Sequence, residues 1–364
     1  MGKGLYIHIP FCRSKCGYCD FASEAGREAL IGPFLGALAA ESARYDGLAG
    51  SFDTLYVGGG TPSLLSEEQL ERLFGVIEAL AGPIASLRES TFEANPESLD
   101  AGKARLLKRA GFGRASLGLQ AAQDRLLEKL GRPGRLADFE RAWTALRSAG
   151  FDNLNADLMS GLPGQSEEEF LASLRLLLGL KAEHVSFYAL EVHEGTAFHA
   201  AGVKEEPEAS AALYEKASAE LERAGLARYE ISNFAAPGRE SLHNLNYWEQ
   251  GEYLGLGPAA ASYLDGERRA NDNSLDAYLA AAEAGAAPGT QYRERLEGRA
   301  RTAERLMLGL RKAAGIVLSD DIFIEFREEI GRLLAAGLLE REGARLRIRG
   351  DRFYISNSVF REFV

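Results

Sequence analysis

The chain has 364 residues, 46% of them hydrophobic and 26% charged, with a formal charge of −11. This is the balance of a globular protein, long enough for a barrel of about 250 residues plus a small appendage. It excludes a membrane-spanning helix, because the longest apolar runs, such as Leu176 to Leu178, fall far short of about 20 residues, and the acidity excludes a general binder of nucleic acid, which needs clustered Lys and Arg.

In chain order, Met1 to Leu5 leads straight into a strand-like run without a secretory signal, so a cytoplasmic protein that is not integral to a membrane is expected. β-Rich runs recur at residues 5–9, 54–57, 90–93, 114–119, 153–158 and 184–190. Helical patterns lie between and after them, at 34–45, 67–80, 98–110, 136–149, 167–178 and 208–224, with apolar residues three and four apart, as in Leu70, Leu73, Phe74 and Ile77. Ser66-Glu67-Glu68 and Pro96-Glu97 read as helix starts, and Gly111, Gly150 and Gly225 as helix stops. Six βα repeats predict an α/β fold with a parallel sheet of barrel type. Six is fewer than the eight of a full barrel, so a partial, open (β/α)6 barrel is expected.

Residues 282–290 are rich in Ala, Gly and Pro and read as a linker, dividing a barrel at 1–285 from a module at 286–364. Helical patterns at 303–311 and 321–336 are followed by β-like runs at 345–348 and 353–355, which predict a winged-helix-like α+β module. That shape does not settle function. Its Arg-rich stretch is interleaved with Glu294, Glu297 and Glu304, so it reads as a solvated helix face, and the module as structural or docking.

The chain has three cysteines, Cys12, Cys16 and Cys19, in a C-x3-C-x2-C loop after the first strand. A disulfide framework uses an even, dispersed set; an odd, tight cluster points to a metal. Three thiolates cover three corners of a [4Fe–4S] cubane, and no fourth cysteine exists for the last iron. An open iron can chelate the amino and carboxylate groups of S-adenosylmethionine, whose sulfonium then accepts an electron to give a 5′-deoxyadenosyl radical. The alternative is structural zinc with His8 as fourth ligand, but four ligands would crowd into a strand and one loop, unlike any common zinc spacing.

Other residues converge on the same end of the barrel, where such folds place their sites. Gly58-Gly59-Gly60-Thr61-Pro62 follows the second strand and permits close backbone approach, although a plain tight turn would also use glycine. Glu93, Gln120 and Asp157 end the next three strands, and each is costly to bury without a partner.

With the loop, the segments Tyr6 to Cys12, Gly58 to Pro62 and Asp157 to Gln165 resemble the radical S-adenosylmethionine (SAM) superfamily, in the branch of oxygen-independent coproporphyrinogen III oxidase (HemN) and the haem chaperone HemW. The resemblance covers nearly the whole chain. It implies that Tyr6, Tyr18, Gly60, Thr61, Pro62, Glu93, Gln120, Arg132 and Asp157 contact the cofactor, Arg132 pairing with its carboxylate. Ala189 is then a packing contact for the adenine, or an ordinary core alanine. The oxidases carry a further Cys where this chain has Phe21, and an extension ahead of the cluster for which the strand at residues 4–5 leaves no room; both departures match the chaperones. His243-Asn244-Leu245-Asn246-Tyr247-Trp248 resembles an H-N-x-x-Y-W element linked to haem binding, with His243 as iron ligand and Tyr247 and Trp248 as flat apolar cover. Its place after the sixth βα unit puts it near the barrel mouth; a hydrogen-bonded core histidine is the alternative. His184, His193 and His199 are weaker candidates. The resemblance thus implies a haem chaperone carrying a [4Fe–4S] cluster and SAM, serving client apo-haem proteins, membrane respiratory enzymes among them. The alternative is coproporphyrinogen III oxidation or other radical chemistry.

Overall fold

Helix starts and stops divide the chain into alternating strands and helices. The protein is described here from a computed structural model covering residues 2–363. Its first two-thirds run β1 (Lys3–Ile9), α1 (Ile31–Ser42), β2 (Phe52–Gly59), α2 (Glu67–Ala81), β3 (Glu89–Ala94), α3 (Ala101–Ala110), β4 (Arg114–Gln120), α4 (Leu136–Ser148), β5 (Leu154–Ser160), α5 (Glu167–Gly179), β6 (His184–Ala189) and α6 (Pro207–Arg223). Ser66 opens α2 and Ser166 opens α5, each in a reciprocal capping box with the residue three positions on. Gly111 ends α3 in a left-handed conformation at φ 102°, which only glycine adopts without strain. The expected start of that helix at residue 98 moves to 101, because Asp100 accepts from Lys103 N as the cap.

β1 to β6 pair in sequence order, all parallel. Side chains alternate across these strands. Leu5, Ile7, Ile9, Leu55, Val57, Phe92, Leu117 and Leu158 join the buried core shared with the helices. The opposite, concave face carries Tyr6, His8, Tyr56, Glu93, Ser116, Asn155, Asp157 and His184. A polar concave face is what distinguishes a barrel holding a site from one filled with aliphatic layers.

The chain continues through β7 (Ala227–Arg228), β8 (Asn233–Ala235), α7 (Leu242–Trp248), β9 (Tyr253–Leu256), β10 (Ala261–Leu264), β11 (Glu267–Asn271), α8 (Leu275–Glu283) and β12 (Thr290–Arg295). The 12-stranded sheet runs β12-β11-β10-β9-β1-β2-β3-β4-β5-β6-β8-β7, and its two ends do not pair, so the barrel is partial. The run at 282–290 ends α8 and leads into β12, which pairs with β11, so the main sheet continues past residue 285.

The C-terminal part comprises α9 (Gly298–Arg311), β13 (Ile316–Val317), α10 (Asp320–Glu325), α11 (Arg327–Ala335), β14 (Leu339–Glu342) and β15 (Arg345–Ile348). The three strands form their own antiparallel sheet, a winged-helix-like α+β arrangement. The helix expected over 321–336 breaks at Phe326, whose backbone leaves the helical region while its ring is buried beneath Arg299. The expected hairpin partner at 353–355 is a 3-10 turn instead; β15 pairs with β14 across Gly343-Ala344, which supplies the positive φ of a tight turn.

Candidate cofactor site

β1 delivers the chain into the cysteine loop, and the loop is tied down on several sides. Gly17 N donates to Leu130 O and Gly17 O accepts from Phe198 N. A Cβ at Gly17 would lie 2.5 Å from the Phe198 ring, so glycine is needed for this close approach. Lys15 Nζ donates to Phe21 O at 2.7 Å, holding the loop's exit. All three thiols are free and half-buried. Burial pushes the Cys16 and Cys19 thiols up, and Arg132 opposes this at Cys16. Among the described residues no three His, Cys, Asp or Glu side chains are grouped to hold a metal ion. The loop instead presents three separate thiols, a donor set that fits the separate irons of a cubane.

A cavity of about 150 Å³ opens against the loop. Cys12, Cys16, Cys19, Tyr18, Gly60, Thr61, Pro62, Glu93, Gln120, Arg132 and Asp157 all line it. These residues come from the loop, from the C-terminal ends of β2 to β4, from the middle of β5 for Asp157, and from the segment between β4 and α4 for Arg132. Tyr6 stands on the wall of a neighbouring cavity, its hydroxyl 3.0 Å from His8 Nδ1. Ala189 ends β6 opposite Ser160 and lines neither cavity.

The glycine run allows β2 to lie against the loop backbone. Gly60 N donates to Ile9 O at 2.8 Å and Thr61 N to Phe11 O at 2.7 Å, so both amides are engaged. A Cβ on Gly60 would meet Phe11 O at 2.6 Å, and one on Gly58 would meet Glu93 Oε2 at 2.7 Å. Gln120 takes a positive φ of 66° where the β4–β5 register shifts past Gly118. A non-glycine residue held there stores strain, a feature concentrated at functional sites.

The two acids are held differently. Glu93 accepts from Tyr56 Oη at 2.5 Å and from Gly59 N at 3.2 Å, and burial pushes its carboxyl up to about 7. Asp157 accepts from Asn155 Nδ2 at 2.7 Å, and burial raises it too. Asn155 is fixed in turn by His184 Nδ1 and Ser186 Oγ. Arg132 Nη2 donates to Gly118 O at 2.8 Å and Asn95 Oδ1 at 3.1 Å. Asn95, Ser116 and Tyr56 were not read from the sequence. Asn95 had a signal, a polar residue directly after the third strand and before Pro96; the other two are single polar positions within strands.

A second cavity of about 790 Å³ adjoins the first, and Phe21, Gly59 and Glu93 line both. Its wall includes Tyr247, Trp248, Tyr253, Tyr263 and Tyr292. Tyr247 and Tyr253 meet edge-to-face at 4.6 Å. Arg268 pairs with Glu304 in the same wall.

α7, which carries His243, Tyr247 and Trp248, starts at the barrel floor rather than the mouth. Glu89, the first residue of β3, accepts from Leu242 N at 2.8 Å and His243 N at 3.0 Å. His243 is 1% exposed and outside both cavities. Its Nδ1 bonds Thr54 Oγ1 at 2.8 Å and its Nε2 bonds Tyr247 Oη at 2.8 Å. The floor position follows from the buried carboxylate of Glu89, which captures the free amides at the helix start. Both ring nitrogens of His8 and His184 are also engaged. His193 and His199 are exposed, and His193 Nε2 lies 3.8 Å from Asp20, a residue lining the larger cavity.

Residues 6–177 match the Radical SAM superfamily. The "Heme chaperone HemW" of Bacillus subtilis (strain 168) is 39% identical over 341 residues, covering 91% of this chain and 88% of that protein. The protein of the same name from Lactococcus lactis subsp. lactis is 35% identical over 378 residues, covering 100% and 97%. Among solved structures, Escherichia coli coproporphyrinogen III oxidase (HemN), a radical SAM enzyme, matches with a TM-score of 0.85 at 22% identity, covering 100% of this chain and 90% of its own, which is a likeness of fold. Among the described residues no helix is long and apolar enough to cross a membrane.

Proposed function

This chain belongs to the HemW family within the radical SAM superfamily, and from that premise we propose that it binds haem and delivers it to client haem proteins. Cys12, Cys16 and Cys19 hold a [4Fe–4S] cluster, and the strand-end residues hold S-adenosylmethionine beside it. When bound, these groups supply one-electron chemistry at the sulfonium. The chain's own residues set where that happens: Glu93 and Asp157 receive the amino N–H donors or the ribose hydroxyls, Arg132 the carboxylate, and Gly58 to Gly60 keep the floor of the site free of side chains.

One observation carries the haem reading. The aromatic cavity of about 790 Å³ shares its Phe21, Gly59 and Glu93 wall with the cofactor site. A porphyrin needs broad apolar contact, which Tyr247, Trp248, Tyr253 and Tyr263 supply. Phe21 stands where the oxidases carry a further cysteine, which favours a carrier over a decarboxylase. His243 serves as iron ligand only if the Tyr247 hydroxyl leaves its Nε2; otherwise it acts by orienting Tyr247.

The test is a haem titration of protein reconstituted without oxygen, beside an assay with coproporphyrinogen III. Saturable binding, a shifted Soret band, transfer to an apo-haem protein and no decarboxylation are expected. His243→Ala shifts the spectrum if the ring ligates iron and weakens binding with an unchanged ligation spectrum if it orients Tyr247. Intact protein that binds no haem, or that decarboxylates the porphyrinogen efficiently, refutes the proposal.

A further inference from the structure

The cofactor site contains a hydrogen-bond chain whose direction can be assigned without seeing hydrogens. Arginine has donors only. Arg132 Nη2 lies 3.1 Å from one side-chain atom of Asn95, which must therefore be the amide oxygen. The other end of that amide, Nδ2, then donates to Thr61 Oγ1 at 3.1 Å. Thr61 Oγ1 thus already accepts a hydrogen bond, and its single proton is left for Cys12 Sγ, 3.4 Å away. The geometry is enforced from outside. Thr61 is buried, its amide is bound to Phe11 O, and Asn95 N is bound to Ser63 Oγ at 3.0 Å.

We propose that Thr61, positioned by Asn95 and Arg132, tunes the reduction potential of the cluster through a directed hydroxyl donation to the Cys12 sulfur. This rests on the cluster reading above. A donor to a ligating sulfur stabilises the more negative, reduced cluster, and so raises its potential. The chain runs from a guanidinium to a thiolate, so each amide or hydroxyl dipole in it strengthens the next donation. Tyr18, itself paired with Arg132, approaches Cys16, and the Phe21 backbone approaches Cys19, whereas Cys12 is reached from Arg132 through Asn95 and the Thr61 hydroxyl. Thr61 therefore acts on the cluster, and Asn95 is a positioning residue.

The experiment is a redox titration of the reconstituted protein, without S-adenosylmethionine, followed by paramagnetic resonance. Thr61→Val removes the hydroxyl at nearly constant shape and should shift the midpoint to a more negative potential at unchanged iron content. Thr61→Ser should restore the wild-type value. Asn95→Ala leaves the hydroxyl but frees its direction, and should shift the potential in the same sense by less. If Thr61→Val does not assemble a cluster, Asn95→Ala decides. An unchanged potential in iron-replete Thr61→Val, or in Asn95→Ala where that variant decides, overturns the proposal alone. Wild-type protein that takes up no [4Fe–4S] cluster overturns the underlying reading as well.

Discussion

Glu93 is the residue at which the two cavities and the site's electrostatics meet. Its carboxyl is raised from 4.5 to about 7, chiefly by burial, with Tyr56 and Gly59 opposing the shift. The folded state therefore holds a proton that the unfolded chain releases near 4.5. Its contribution to stability is fully present below about 4.5 and is lost as pH rises toward about 7. Ligand binding runs the other way, because the N–H donors of the cofactor's amino group are accepted more strongly by the ionised carboxylate than by the protonated acid. In the cluster-loaded protein, affinity for S-adenosylmethionine should rise as pH passes through about 7, read from the cofactor's perturbation of the paramagnetic resonance signal. Glu93→Gln should flatten both profiles and weaken cofactor binding above pH 7 while leaving iron content near normal. A pH-independent affinity in the wild type would show that Glu93 does not accept from the cofactor's amino group. Cysteine spacing made the loop readable, because three thiols within eight residues serve few other purposes. Asn95 and Tyr56 were hidden because a lone polar residue carries no spacing information; its meaning comes from partners 30 or more positions away, such as Thr61 for Asn95 and Glu93 for Tyr56.

At the scale of elements, α7 shows how a short helix is placed by one side chain. Its six-residue motif has no apolar periodicity long enough to announce which way it faces. Glu89 decides it, accepting from Ser241 Oγ at 3.2 Å and from the amides of Leu242 and His243. Glu89→Gln keeps one acceptor oxygen where two are in use, so a buried donor loses its partner. A loss of about 1–3 kcal/mol is expected, measured by chemical denaturation of the protein. Because α7 also carries Tyr247 and Trp248 into the larger cavity, the same variant should weaken haem binding without reducing iron content. Equal denaturation midpoints would mean that the floor of the barrel is held by its packing instead. The six βα repeats were legible because each helix has three to six buried apolar residues on one stripe and each strand alternates. β9 to β12 were not, since they are short and partly polar: β11 reads Glu-Arg-Arg-Ala-Asn and is recognisable only by its pairing with β10 and β12. These four strands build the far wall of the larger cavity, so the cavity itself had no sequence signature, although Tyr247 and Trp248 did.

Across the whole molecule, the shared wall predicts that the two ligands sense one another. Phe21 lines both cavities and is 61% exposed, a large hydrophobic side chain turned outward from the loop that carries the cysteines. A ligand in either cavity must fix that ring, and ordering a side chain at a binding surface costs about 0.5–1.5 kcal/mol. When one ligand has already fixed Phe21, the second does not bear that cost again, so binding is cooperative without any change of fold. S-adenosylmethionine should therefore tighten haem binding by roughly twofold to tenfold, and linkage requires haem to tighten cofactor binding by the same factor. Haem titrations with and without saturating cofactor measure the first factor, and cofactor titrations with and without haem measure the second. Phe21→Ala removes the shared ring and should bring both factors toward one while the cluster still assembles. Equal haem affinity with and without cofactor in the wild type would show that the wall is rigid before either ligand arrives, and the two cavities would then act independently.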